Sequence, residues 1–162
     1  MNRVVPILVA VALLESAAVQ LLGQAPPPLQ SPDFEVAGID LDADSTTVIQ
    51  RLGRPDSSRT EAGFGVDEHS LRYWYFPGAA ITFRVTDVVE GILLTTPTYA
   101  TTRGLRVGDL RERVRTLYGS PLDDPDPTLW LYADDPRLPE HLIIMTFSGD
   151  AVTSISVRHF RA

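Results

Sequence analysis

The chain has 162 residues, of which 44% are hydrophobic and 22% charged, a balance typical of one compact domain or two small ones. Its formal net charge of -7 repels phosphate backbones, so nucleic acid is not an expected partner. Because the chain has no cysteine, disulfides, thiolate metal sites, a cysteine nucleophile and a lipid-anchoring cysteine are all excluded.

The N-terminus has the pattern of an export signal. A short positive start at Asn2-Arg3 precedes an apolar run over residues 4–14, and small residues follow it. We therefore expect residues 1–18 to be a signal peptide that is cleaved after Ala18. Cleavage after Ala25 is a second candidate, although Pro26 would hinder it. The alternative is an uncleaved anchor over residues 4–22, in which Glu15 would be costly in the hydrocarbon core.

Residues 19–37 are predicted to be a Pro-rich linker. Four prolines between Pro26 and Pro32 make this segment stiff and extended. We expect it to hold the folded part away from the membrane or the processing site.

Two stretches of the remaining chain match each other, which predicts a duplicated module. The copies span residues 38–94 and 104–162, and a Thr-rich linker over residues 95–103 joins them. The matched segments are residues 48–55 with 114–121, 74–75 with 131–132, 81–83 with 145–147, and 92–94 with 155–157.

Each copy is predicted to contain a short helix before its strands. Asp44 and Asp109 are placed to cap the two helices, and Glu112 would complete a capping box with Asp109. Gly53 and Gly119 are expected to end the helices at positive φ.

Period-two alternation predicts three strands in each copy. These are residues 71–76, 80–85 and 88–94 in the first and residues 128–132, 142–147 and 151–157 in the second. The predicted fold class is α+β. It has two tandem modules, each a helix plus a three-stranded antiparallel meander, which form one sheet with both helices on one face. The other face would be open to solvent or to a partner.

The helix-stop and strand pattern resembles the β-lactamase-inhibitor-protein-like fold, which includes the SmpA/OmlA lipoproteins of the β-barrel assembly machine. The strongest match is the segment from Gly104-Leu105-Arg106-Val107-Gly108-Asp109 through Val114 to Leu117-Tyr118-Gly119. The chain departs from the lipoproteins, which have a lipidated Cys and a single module, and from the disulfide-stapled inhibitors. The resemblance implies a fold, and it transfers no binding residue.

The acidic segments do not predict a metal site. Residues 40–45 begin like an EF-hand loop, but Ser45 and Arg51 stand where that loop needs Gly and Glu. The Pro-punctuated acidic loops over residues 123–127 and 134–136 are typical of soluble turns and would otherwise suit a basic partner surface. We therefore expect no metal and no cofactor.

The three histidines, His69, His141 and His159, fall in no catalytic or metal-binding array, and no Gly-x-Ser-x-Gly elbow or phosphate loop is present. The sequence therefore predicts that the protein is not an enzyme. A pocket in which His69 or His141 lies beside a carboxylate would favour the alternative of an unrecognised hydrolase.

A partner-binding surface is predicted on the open sheet face, because arginine and aromatic side chains there have the composition of an interface hot spot. A loop that covers this face is the alternative. The candidate residues are Arg72, Tyr73, Trp74, Arg84, Trp130, Ser154 and Arg158.

Together these patterns predict an exported, non-catalytic protein-binding module, either inhibitor-like or an envelope accessory. Its partner would be another envelope or extracellular protein, and it would contact a membrane only through an uncleaved signal. The alternative is a structural envelope or spacer protein that has no specific ligand.

Overall fold

A computed structural model describes residues 25–62, 70–122 and 126–160. Within these ranges a 3-10 turn spans Ser31–Phe34, and two helices, α1 and α2, span Ser45–Leu52 and Arg111–Tyr118. Seven strands, β1 to β7, span Ser57–Glu61, Leu71–Phe76, Ala79–Phe83, Val89–Leu94, Leu129–Ala133, His141–Ser148 and Ala151–His159. Neither described helix is long and apolar enough to cross a membrane.

All seven strands form one antiparallel sheet in the order β1-β2-β3-β4-β7-β6-β5. The pairing of β4 with β7 at its centre sets Ile92 opposite Val157 and Leu94 opposite Ile155. These four side chains belong to a single hydrophobic cluster, to which both helices also contribute. The sheet therefore has one shared core.

The predicted division into two helix-plus-three-strand α+β modules is wrong. The described fold is mostly sheet, with only two helices of eight residues each. The first half contains four strands rather than three, and a single hydrophobic cluster joins it to the second half.

Strand β1 is the element that sequence reasoning missed. Its five residues, Ser57–Glu61, are all exposed, yet each is paired with a residue of β2. A strand that is polar on both faces shows no hydrophobic alternation, so its pattern is that of a loop.

The helix ends agree with the sequence except at one cap. Asp44 caps α1 by accepting the Thr47 N–H, and Gly53 and Gly119 end the helices at φ 82° and 79°, as predicted. The predicted cap at Asp109 is wrong, because α2 begins one residue later and Leu110 occupies the N-cap position. The Asp109 carboxylate instead accepts the Arg106 N–H in the preceding turn.

The N-terminal arm, residues 26–34, packs against the folded part. Phe34 is buried in the core, and Leu29 packs on its edge. Arg103 holds the arm through two hydrogen bonds to Asp33 and further bonds to the carbonyl oxygens of Pro27 and Pro28. The described part of the predicted linker, residues 25–37, therefore makes tertiary contacts with the folded part.

The same arginine connects the arm to α2, because its Nη1 donates to the Leu117 carbonyl at 2.8 Å. Its side chain is 12% exposed and that of Asp33 is 13% exposed. Burial alone would raise the pKa of Asp33, but hydrogen bonds from Arg103 and from the Gln30 N–H outweigh it and lower that pKa.

We expect Arg103→Gln to destabilise the fold by about 3 kcal/mol, because removing one partner leaves the other charge buried without compensation. Urea unfolding at pH 7 measures this loss. Arg137→Gln is the matched control, since the Arg137 side chain is exposed. Equal midpoints for the two variants would contradict the role given to Arg103.

Folding lowers the pKa of Asp33, so the ionised carboxylate stabilises the folded state. This contribution to stability is present above the ordinary carboxyl pKa of about 3.9 and is lost on acidification. The stability difference between wild type and Arg103→Gln should therefore shrink as the pH falls through that range.

Candidate functional site

The two faces of the sheet have different environments. The helices and the core lie on one side, and we call the other side the open face. Its side chains form two rows across all seven strands. The first row is Arg59, Tyr73, Thr82, Gly91, Arg158, Leu142 and Ala133. The second row is Ser57, Tyr75, Ala80, Leu93, Ser156, Ile144 and Leu131.

The open face combines apolar character with exposure. Leu93 at its centre is 37% exposed, and Tyr73, Tyr75, Ile144 and Leu131 are each half-buried. Leucine, isoleucine and tyrosine in adjacent positions on a rigid sheet are the composition of an interface core. The hydrogen-bonded strands fix the positions of these side chains.

Three of the predicted binding residues lie on the core face instead. Trp130 is 1% exposed and packs edge-on against Phe147. The guanidinium groups of Arg111 and Arg115 lie over its ring, at 5.0 and 4.8 Å from the ring centroid. Trp130 is therefore a core residue that two arginines cover, and it does not reach the open face.

Arg72 and Trp74 form a similar arrangement in the other half of the sheet. Trp74 packs edge-on against Phe83, and Arg72 lies 5.0 Å from the Trp74 ring centroid. Arg72 is also ion-paired with Asp87 in the β3–β4 turn. Both residues are thus engaged within the fold.

The other four predicted residues lie on or beside the open face. Tyr73 and Arg158 share the first row. The Ser154 hydroxyl is 2.7 Å from that of Thr146 on the neighbouring strand. Arg84 follows β3 and is ion-paired with the buried carboxylate of Glu90.

A depression of about 270 Å³ interrupts the first row at Gly91. Its walls include Tyr73, Thr82 and Leu93, and the exposed Arg158 lies on its rim. A Cβ atom at Gly91 would lie 3.3 Å from the Arg158 Cβ and 3.4 Å from the Val157 carbonyl oxygen. A side chain at residue 91 would therefore crowd β7 beside the depression.

A second polar cluster lies at the end of strands β6 and β7. His141 Nδ1 is 2.7 Å from the Asp134 carboxylate, and the His141 ring lies 5.0 Å from the Phe34 ring and 5.1 Å from the His159 ring. A neighbouring cavity of about 330 Å³ is lined by His141, Phe34 and Asp42, among others.

Asp134 is the residue that organises the β5–β6 loop. One of its oxygens accepts the N–H groups of Asp135, Glu140 and His141, and the other contacts the His141 ring. Burial alone would raise the pKa of Asp134, but these hydrogen bonds outweigh it and lower that pKa. The sequence had indicated only soluble turns at this loop.

The carboxylates of Asp134 and Glu140 and the His141 ring offer atoms that lie within 4.8 Å of one another, the spacing of a metal site. However, both oxygens of Asp134 already accept bonds from the loop. A metal ion would have to displace them. The loop itself accounts for this cluster.

His159 lies in the same region and faces groups from several elements. Burial is the main cause of its lowered pKa, and Arg84 and His141 add to the effect, while Asp42 and Glu90 oppose it. Its Nε2 atom lies 3.3 Å from an oxygen of Asp42. His69, the third histidine of the sequence, lies outside the described residues, as do residues 123–125 of the predicted acidic loop.

Sequence reasoning missed the leucines of β5, which share the open face with Tyr73, and also Gly91. The signal that could have found them is the alternation Leu129-Trp130-Leu131-Tyr132, once the tryptophan is assigned to the core. An isolated glycine within a predicted strand is likewise a known sign of close backbone approach or of space for a ligand.

No family model matches this chain, and no curated protein matches it. The chain is similar to the crystal structure of an extracellular protein containing a SCP domain from Bacillus anthracis, with 9% identity and a TM-score of 0.50. That match covers 74% of this chain and 44% of the other, so this chain spans less than half of the Bacillus protein. At this identity the likeness concerns the fold alone.

A DUF4309 family protein from Bacillus subtilis is also similar, with 12% identity, a TM-score of 0.41 and coverage of 73% of this chain and 79% of that one. Neither protein is described as an inhibitor or as an assembly lipoprotein. The resemblance to the β-lactamase-inhibitor-protein-like fold stays a prediction from the sequence.

The His159 environment predicts a pH-dependent stability. Folding lowers the pKa of His159, so the folded state favours the neutral ring. Above the unfolded pKa of about 6.5, the full contribution of the neutral ring to stability is present. It is lost as the pH falls from that value toward the folded pKa. We expect the melting temperature of wild type to fall between pH 7.5 and pH 5.5, and His159→Gln to fall less.

Wild type and His159→Gln both retain His69 and His141. The difference between the two slopes of melting temperature against pH therefore isolates the effect of His159. Thermal unfolding followed by circular dichroism at several pH values measures both slopes. Parallel curves for the two proteins would show that His159 does not couple folding to pH.

Proposed function

We propose that this protein is an exported, non-catalytic binding module, periplasmic or extracellular, that docks another protein on the open face of its sheet. The observation that carries the proposal is the group of half-buried apolar and tyrosine side chains on the same sheet face as the exposed Leu93, which lies opposite the core. Such a surface on a monomer is a frequent sign of a protein interface.

Export is supported by the signal pattern of residues 1–18. The open face also fits a protein partner better than a small molecule, because its side chains extend across seven strands rather than lining a deep cavity. The partner would be another envelope or extracellular protein. A spacer protein with no ligand remains the competing proposal, and it predicts that open-face substitutions change no interaction.

Site-specific photo-crosslinking in the producing cells tests this proposal. We expect a benzoylphenylalanine at Leu93 to form a discrete cross-linked species that excess purified wild-type domain suppresses. The matched control is the same residue at Ile49, on α1 and 41% exposed against 37% for Leu93. Leu131→Asp in the Leu93 probe should reduce the yield, because it puts a charge into the apolar surface.

Equal cross-linking from Leu93 and Ile49, or none from Leu93, would contradict the proposal and favour the spacer reading. The comparison is informative because the two positions are similarly exposed and lie on opposite sides of the protein.

A hydrolase is a second candidate, since His141 lies beside a carboxylate and a cavity, the arrangement that this alternative required. A carboxylate that orients a histidine is one part of a nucleophile–base pair. In the part of the chain that the structure describes, no serine, threonine or tyrosine hydroxyl is hydrogen-bonded to His141. The binding proposal is therefore favoured.

A panel of p-nitrophenyl esters and phosphates separates the two candidates. We expect the purified wild-type chain and His141→Ala to hydrolyse them at the same background rate. Turnover by wild type that His141→Ala and Asp134→Asn both abolish, with the fold intact by circular dichroism, would favour the hydrolase.

A further inference from the structure

The depression at Gly91 has a size and a chemistry that limit what can occupy it. Its volume of about 270 Å³ is at the lower limit of the range of roughly 300–1,000 Å³ that is typical of small-molecule and cofactor sites. A single large side chain from a partner protein fits that volume better. The open sheet around it would contact the residues that flank such an anchor.

The walls of the depression are mixed, and their apolar part suits an apolar side chain. Thr82, Glu90, Ser156 and Arg158 are its polar lining residues, and Leu71, Tyr73 and Leu93 form the apolar part together with Gly91 and Ile92. An apolar side chain that enters would bury these surfaces together with its own, and a tyrosine ring contributes much contact area at little cost in conformational entropy.

The rim favours a negative charge next to that anchor. In the described part of the chain, Arg158 has no carboxylate within 4 Å, and its one hydrogen bond is a 3.5 Å contact with the neighbouring His159 carbonyl. The other arginine of the first row, Arg59, is ion-paired with Glu61 at 2.7 Å. The carboxylate of Glu90, which also lines the depression, is already paired with Arg84.

We propose that the Gly91 depression is the anchor site of the open face. It receives one aromatic or large aliphatic side chain of the partner, while Arg158 binds an aspartate or glutamate adjacent to it in the partner's sequence. This inference rests on the proposed binding function and adds the chemistry of the partner segment. A guanidinium at the edge of an apolar pocket discriminates by charge as well as by shape.

Panning a phage-displayed library of random 12-residue peptides on the full chain tests this inference. We expect enriched peptides to carry an aromatic or large aliphatic residue within two positions of Asp or Glu. One such peptide is then synthesised with a fluorophore, together with a form in which the acid is replaced by its amide, and binding is measured by anisotropy.

Gly91→Val, which fills the depression with a residue that suits a strand, should weaken binding at least about tenfold, the effect of losing a hot-spot anchor. Arg158→Gln, which leaves residue 91 unchanged, should weaken binding of the acidic peptide but not binding of its amide form. If Gly91→Val fails to fold, the affinities of wild type and Arg158→Gln for the two peptides still test whether Arg158 binds the acidic residue. Arg137→Gln, which changes an exposed arginine outside the two rows of the open face, is the matched control and should have little effect.

Enriched peptides without an acid, or equal affinity of wild type and Arg158→Gln for the acidic peptide, would overturn the anchor assignment. If Leu131→Asp instead weakens binding of the enriched peptides, the open face still binds them and only the position of the anchor site is wrong. Failure to enrich any peptide that depends on the open face overturns the anchor assignment. Cross-linking at Leu93 then decides independently whether the binding function itself fails.

Discussion

The pairing of β4 with β7 is the constraint on which the rest of the structure depends. A meander of three or four short strands with one eight-residue helix buries too little apolar surface to be stable alone. The β4–β7 ladder places Ile92, Leu94, Ile155 and Val157 in one cluster, so both meanders contribute to the same core. It also sets Gly91 opposite Arg158, and the candidate anchor site therefore lies across this central pair.

Arginine beside an aromatic residue proved to be an ambiguous signal in this protein. At an interface that pair indicates a hot spot, but here Arg72 covers Trp74, and Arg111 covers Trp130 and Phe147, all on the core face. A guanidinium over a ring closes the edge of a core while its charge stays near water. Arg158 of the open face, which has no carboxylate partner among the described residues, and the engaged Arg72 look alike in the sequence, and only the tertiary contacts distinguish them.

Local features of the fold could be predicted from the sequence, and the assignment of faces could not. Six of the seven strands, the Asp44 cap and the glycine stops follow from alternation and turn chemistry. The internal comparison, however, aligned Trp74 with Leu131. In the sheet Trp74 lies opposite Ile81 and Trp130 opposite Met145, so Trp74 corresponds to Trp130. In a strand a shift of one residue exchanges the two faces, so this alignment could not show which residues of β5 face the core.

The docking of the N-terminal arm determines how far the binding surface can stand from whatever precedes it. With residues 26–34 held by Arg103 and the core, only residues 23–25 separate the alternative anchor, residues 4–22, from the fixed part of the chain. Three residues reach at most about 11 Å. In any form that keeps the N-terminal segment as an anchor, the domain is therefore a short-tethered body that can sample only a thin layer above the bilayer. Its partner would have to be met within that layer, where a short tether raises the effective concentration of one reactant for the other.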